Sequence, residues 1–515
     1  MKKALFVLLA IALLIAPVAA FAEIDTEATI TVAQTTIIDN MDYMIQSTLN
    51  GSGIFQMMYD ELIDMNFATA ELKPGLATEW SVSEDGKTWH FKLREGVNFH
   101  DGTPLTAKDV KYTYDRMQLD DYNIGNTNYL NNQMLYDHID IIDDYTFDFV
   151  TKEPVPALLY SLQEVHILPE HIYADYTPEQ AATEPIVGSG AFKFVEYAKD
   201  DYVKMERNDE YWGDVPQFKT LIYRMIPEAS TRIAELETGG IDVAQSIPMA
   251  QISVVNDSGV ATVKAVTNGC RMILGFNHEN PKFSKNVRFA MNHSIDWEAI
   301  NQSFFFGMAP RMVINVNAPW LNPDLEPYPF DLDKAAEYMA ADGYEKDAAG
   351  YWAKDGVELE FNIMVYYDQT SERYEVLLSL LDMLNKAGFK AEAYYLDRAA
   401  AIEKLDTRSI DDMYYIGSCT SYEPQGDLTD LKADSGSNYG RWNNPEFEEL
   451  FAQLNSEFDT EKRRELVYKM EEIAYNDAAV VPLYIIIDTW GVSNNLDWNP
   501  SPTGRAWMKG ATKSN

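Results

Sequence analysis

The sequence predicts an α/β protein divided into two or three lobes, and three observations carry that expectation. A chain of 515 residues is longer than one ordinary domain. Between Leu76 and Asp115 a strand, a turn, a second strand, a second turn and a helix follow one another, each break with its own punctuation. Further along, the helical stripe Val376, Leu377, Leu380, Leu381 and Leu384 is closed by Gly388-Phe389, and an extended segment, Ala391 to Tyr395, follows. That alternation of helix and strand is the pattern of an α/β lobe.

The amino terminus and the charge narrow the setting. Lys2 and Lys3 precede an unbroken apolar run from Ala4 to Ile15, and Ala20-Phe21-Ala22 satisfies the small-x-small cleavage rule. Residues 1–22 are therefore expected to form a secretory signal peptide cut before Glu23. A retained anchor is the alternative, but the run is short for a span and no second stretch of spanning length follows. No cysteine ends the run, which argues against a lipid anchor. With 81 acidic and 41 basic residues the formal charge is −40, which argues against nucleic acid or an anionic membrane as partner. Export permits the two cysteines, Cys270 and Cys419, to pair, two separate buried thiols being the other reading.

In chain order, Ala28 to Ala33 alternates as a short strand, and Ser47 to Gly53 leads into a helix expected over Ile54 to Ile63. Asn50, Gly51 and Ser52 sit where backbone N–H groups before a helix can face an anion; a plain connector is the other reading. No Gly-Lys-Ser/Thr ending follows, so a nucleotide loop is not supported. Trp80, Val82, Trp89, Phe91 and Leu93 alternate with polar residues, and Glu84-Asp85-Gly86 supplies the hairpin turn, Gly86 being free to take a positive φ. After a second turn at His100 to Pro104, Thr106 is placed to cap a helix, with Asp109 answering it. Helical periodicity continues through Val110 to Met117, and a strand is expected over Tyr145 to Val150. In Gly188-Ser189-Gly190 the serine is flanked directly by glycines, which is not the spacing of a nucleophile elbow.

The segment carrying Trp80, Ser83, Asp85-Gly86, Trp89, Phe91, Leu93-Arg94, Gly96-Val97, Phe99, Asp101-Gly102, Pro104, Ala107 and Asp109-Val110 resembles the signature of the family 5 extracellular solute-binding proteins. These are the dipeptide-, oligopeptide- and nickel-type receptors of ABC importers. Arg207-Asn208 with Tyr211-Trp212-Gly213, Ile226-Pro227 through Asp242, Pro281 through Asp296, and Asn438 through Pro445 resemble further motifs of the family in order. The resemblance implies a periplasmic-binding-protein-like fold: two lobes and a hinge, with an extra inserted lobe. In that layout residues 23–55, 186–270 and 488–515 make lobe I, residues 56–185 lobe II and residues 271–487 lobe III. It also implies a small-molecule or peptide ligand, permease subunits as partners, no cofactor, no stable membrane insertion and a monomer. A disulfide between Cys270 and Cys419 is favoured on the same ground, because some of these receptors join such segments beside the ligand.

Tyr414 to Pro424 is expected to be a polar loop following a strand, and Tyr415, Ser418, Thr420, Ser421, Tyr422 and Glu423 are its candidate ligand residues. In peptide receptors of the family an aspartate of this loop holds the ligand's ammonium. Here Ser421 stands at that place. Either Glu423 or another acid supplies the charge, or the ligand is not an ordinary α-amino peptide but a sugar, a modified peptide or a metal complex. Tyr439 and Trp442 are candidates for the cleft wall, docking of the helix that starts at Pro445-Glu446 being the other reading. Arg288 is expected to pair structurally with a neighbouring carboxylate. Val480 to Ile487 reads as a buried strand.

A catalytic reading finds little support. His90, His100, His138, His166, His171, His278 and His293 form neither HExxH nor a local cluster, and neither cysteine has a histidine nearby in sequence. No metal site is expected. Carboxylates are too abundant for a glycosidase pair to mean anything from sequence.

Overall fold

The computed structural model describes residues 24–514 apart from 47, 67, 68, 70, 315, 317–319 and 420–422. The expected signal peptide, residues 1–22, and the candidates Thr420, Ser421 and Tyr422 lie outside the described residues. A ten-stranded sheet runs through the molecule in the order Lys390–Tyr395, Glu360–Val365, Met413–Cys419, Ala261–Phe276, Val480–Ser493, Val243–Gln245, Thr29–Gln34, Thr220–Met225, Tyr202–Arg207 and Phe192–Ala198. The two central strands, Ala261–Phe276 and Val480–Ser493, are antiparallel and far longer than the rest, so each belongs to both halves of the sheet. They are called the crossing strands below. The far half holds the three strands up to Met413–Cys419; the near half holds the five from Val243–Gln245 onward.

A second sheet of four strands, Ala77–Val82, Thr88–Leu93, Thr146–Thr151 and Tyr136–Asp143, contains the hairpin expected from the sequence. Gly86 takes φ +72° in its turn. The helix Ala107–Met117 begins with the expected reciprocal cap, the Asp109 carboxylate accepting the Thr106 backbone N–H at 2.9 Å. The other Asp109 oxygen accepts the Glu170 N–H at 3.0 Å, so the cap also fixes the following segment.

Strand alternation explains the cores. In the far half, Met413 and Tyr415 join Met272 and Leu274 on one face, while Tyr414 and Ile416 join Ile273 on the other. The stripe Val376, Leu377, Leu380, Leu381 and Leu384 of the helix Glu372–Ala387 closes the first face. Each such residue contributes about 1.5–3 kcal/mol when fully buried. A single core joins the near half to the four-stranded sheet, with Ile30, Phe55, Tyr59 and Tyr223 packed in one cluster with Phe91, Phe147 and Phe149.

Two expectations are corrected. The helix expected over Ile54 to Ile63 is Leu49–Met58, capped by Thr48, whose hydroxyl accepts the Gly51 N–H at 3.1 Å. Asn50, Gly51 and Ser52 therefore lie inside the helix rather than before it. It stops at Met58 because the Gly188-Ser189-Gly190 segment abuts it: a Cβ on Gly188 would stand 2.1 Å from the Met58 carbonyl oxygen. Tyr414 to Cys419 is not loop but strand, hydrogen-bonded along a crossing strand with Cys270 opposite Cys419. The strand Ala261–Phe276 starts well before its apolar run, since Thr262 to Gly269 crosses a half-exposed waist and lacks the run that marks a buried strand.

Glu471, on the helix Thr460–Asn476, is fully buried and accepts the Asn322 N–H at 2.7 Å. Burial pushes its carboxyl up to about 8, with Asp427 adding to the rise. The folded state thus holds a proton that the unfolded chain releases in the ordinary carboxylate range. Its stabilisation is fully present below that range and is lost as pH rises toward about 8. Thermal unfolding scans should show Glu471→Gln with a shallower loss of Tm between about pH 5 and pH 8 than the parent; parallel profiles would refute the assignment.

Candidate functional site

The ladder of the crossing strands shifts register twice in close succession, between Thr267 and Arg271 and again between Met272 and Ile273. Pairing of Thr267 with Ile487 jumps to Arg271 with Ile485, so Asn268, Gly269 and Cys270 bulge out of register. Gly269 takes φ +75° there. Cys270 and Cys419 form a disulfide with their Cα atoms 3.9 Å apart. It pins the end of Met413–Cys419 to the bulge.

Arg271 is wholly buried behind this bond and forks onto two carboxylates, Asp427 at 2.7 Å and Asp430 at 2.7 Å. The Ser418 hydroxyl also donates to Asp430 at 3.2 Å. A small cavity of about 100 Å³ opens here, lined by Ile416, Gly417, Ser418, Asp430, Ser437 and Tyr439 among others. The Tyr367 hydroxyl accepts the Gly417 N–H at 2.7 Å and so holds the cavity's edge.

On the near side, Asn50 and Gln245 bond reciprocally at 3.0 and 2.8 Å, and Asn50 also donates to Thr36. Ser52 lines a second recess with Tyr43, Gln56, Glu164, His166 and Arg505. Arg505 grips Glu164 with both terminal nitrogens, at 3.2 and 2.7 Å, which joins the carboxy-terminal segment to the segment following the four-stranded sheet.

The far half and the four-stranded sheet exchange aromatic side chains. Phe458, from the far half, packs on the core beneath the hairpin, 6.0 Å from Trp89 between ring centroids, and so close to Gly86 that a Cβ there would stand 2.8 Å from its ring. In return Tyr160 packs on the core that holds Ile416 and Trp442. Its phenol is pushed up by burial first and by the neighbouring Glu423 second.

The candidate residues from the sequence therefore divide. Ser418 and Tyr439 meet in one cavity, and Ser52 faces another recess. Asn50 and Gly51 are buried within the helix, and a Cβ on Gly51 would strike the Gln46 side chain at 2.4 Å. Tyr415 is a correction: strand alternation turns it into the core, fully buried, edge-on to Tyr367. Glu423 is another. It caps the helix Pro424–Thr429, is 4% exposed and pairs with Arg463, so its charge is already committed. Trp442 is a third, buried against Phe447 with its indole N–H donated to Asp477 at 2.7 Å. Arg288 also pairs with Asp477, at 2.8 Å, as a structural contact.

Sequence reasoning missed Asn268, Tyr367, Asp488 and Arg505. Asp488 left one signal, a lone charge between Ile487 and Trp490 in an apolar run. It lies on a crossing strand, accepts the Asn268 side-chain N–H at 3.0 Å, and burial pushes its carboxyl up to about 6. Arg505 sits in a tail whose Pro and Gly content masks its role. All of these groups hold and orient; among the described residues no three His, Cys, Asp or Glu side chains converge.

Comparison with known proteins follows this geometry. A family model described as bacterial extracellular solute-binding proteins, family 5, middle, matches residues 71–439. The chain is 26% identical over 450 residues to the dipeptide-binding protein of Escherichia coli K12, covering 82% of each. It is 25% identical over 458 residues to heme-binding protein A of Haemophilus influenzae, covering 83% of this chain and 81% of that one. The solved structure of HbpA2 from Haemophilus parasuis superposes with a TM-score of 0.84 at 23% identity, covering 95% of this chain and 100% of that one.

Thiol titration of the denatured, unreduced protein should find no free thiol; two would refute the bridge. Reduction should lower stability by about 2–5 kcal/mol in denaturant melts, since the bond closes a loop spanning 149 residues.

Proposed function

The chain belongs to the family 5 bacterial extracellular solute-binding proteins, and from that premise we propose that it captures a peptide between its two halves and delivers it to the permease of an ABC importer. A dipeptide-binding relative that aligns over most of the chain supports the peptide class. One structural observation carries the mechanism: the crossing strands are the only ladder between the halves among the described strands, and their bulge marks the waist as a hinge. A ligand touching both sides favours the closed arrangement by its differential affinity for that form. The permease then reads the closed form.

In this reading residues 23–55, 186–270 and 488–515 form lobe I, residues 56–185 lobe II and residues 271–487 lobe III. The protein works as a monomer outside the cytoplasm after cleavage before Glu23. The shared core of the near half and the four-stranded sheet supports lobes I and II moving together against lobe III. The Phe458 and Tyr160 contacts bridge lobes II and III, so they form when the cleft shuts. A second reading, a non-peptide ligand, is favoured by Ser421 at the loop position where peptide receptors carry an acid, and by the heme-binding relative of similar identity.

Small-angle scattering of ligand-stripped protein should give a smaller radius of gyration once a tripeptide mixture is added, with the peptides recovered unaltered by mass spectrometry. An unchanged radius with every peptide, or a hydrolysed peptide, would sink the receptor reading. Phe458→Ala should weaken peptide affinity roughly tenfold without contacting the peptide, by disfavouring the closed form. Calorimetry checks it, and unaltered affinity would remove Phe458 from the closure.

A further inference from the structure

Several buried or half-buried carboxylates around the waist are paired with a cation. Asp427 and Asp430 share Arg271, Glu164 has Arg505, Glu423 has Arg463, and Asp242 has Lys513. Asp488 differs. One oxygen accepts the neutral Asn268 amide, and among the described residues the carboxylate forms no ion pair.

Its position is as informative as its charge. Ile485 to Asp488 is the half-buried stretch of a crossing strand whose flanking residues, Val480–Tyr484 and Thr489–Val492, are all buried. Two neighbours lie directly against the carboxylate. Asn268 comes from the bulge of the other crossing strand. Gly504, at φ +71°, brings the carboxy-terminal segment so near that a Cβ there would stand 2.8 Å from the second carboxylate oxygen and 3.0 Å from Leu49, the first residue of the helix Leu49–Met58. From the far half, Arg373 at the start of the helix Glu372–Ala387 acts on Asp488 through its field rather than by contact. The anion thus lies on the half-buried stretch of a crossing strand, with a neutral amide as its hydrogen-bond partner and no ion pair among the described residues.

We propose that Asp488 anchors the cationic group of the ligand, the free ammonium of a peptide, so that selection for a positive charge is made on the hinge strand and not in the loop at residues 420–422. The inference rests on the peptide-receptor reading and adds its charge preference. A partly desolvated carboxylate without a cation is costly, and an ammonium supplied by the ligand returns that cost as a charge-assisted hydrogen bond. Glu423, the acid nearest the loop in sequence, is occupied by Arg463, which leaves the anchoring role open to Asp488.

The test titrates a tripeptide library with free amino termini, and the same library N-acetylated, into the parent protein and into Asp488→Asn, which keeps the shape and the Asn268 contact. The parent should prefer the free amines, and Asp488→Asn should weaken their binding at least about tenfold while leaving the acetylated library unchanged. If the parent binds both libraries equally, or if Asp488→Asn binds free amines as tightly as the parent, the anchor assignment is overturned and the peptide reading stands. If the parent binds neither library, the peptide reading fails and takes the assignment with it. A Tm for Asp488→Asn at or above that of the parent at neutral pH guards against a folding artefact, since the substitution removes a desolvated charge.

Discussion

The structure depends on two long strands that must serve two cores at once. Ala261–Phe276 and Val480–Ser493 are the only backbone ladder joining the halves of the large sheet among the described strands. Within the far half they are buried on both faces; at the waist they pass through a half-exposed stretch. A ladder clad by core on both faces is stiff, because displacing it opens cavities. A ladder with few neighbours and a bulge is where the φ/ψ change of a hinge can be absorbed. Burial along the strands therefore sets where the ladder is least constrained.

Electrostatics reinforces that division. A chain of net charge −40 nevertheless buries arginines at its joints, and each is held by specific partners: Arg271 by Asp427 and Asp430, Arg463 by Glu423, Arg288 by Asp477 and backbone carbonyls. Stripping one partner from such a pair would leave a buried charge and cost about 3–5 kcal/mol. These pairs fix each half as a rigid body. The half-exposed stretches of the crossing strands themselves, residues 267–269 and 485–488, carry an amide, a hydroxyl and the carboxylate of Asp488 in place of such pairs.

Local turn chemistry was legible wherever a residue's role was set by its immediate neighbours. The hairpin around Gly86 and the reciprocal cap of Thr106 and Asp109 follow from spacing alone, because those bonds close within a few residues. Reading failed where a distant segment decided. Gly51 and Gly53 read as loop glycines, yet they sit inside a helix, where a Cβ on Gly51 would strike Gln46 at 2.4 Å and one on Gly53 would crowd Arg505 at 3.1 Å. Tyr415 read as a pocket residue from the polarity of its neighbours, while strand parity sends it into the core. Glu423 read as an available anion until Arg463, forty residues further along, was placed against it.

The sequence by itself determined the family, the α/β architecture, the order of its elements and the place of most turns, because periodicity, caps and glycine-bearing turns are short-range properties of the chain. Only the tertiary structure decided which polar groups are committed and which stay available. Ser418, Tyr439 and Asp488 are set about the waist by pairings between strands far apart in sequence, and Arg505 reaches Glu164 across 341 positions. Charge neutralisation acts through space, and no local pattern records which cation a folded chain will bring to which acid.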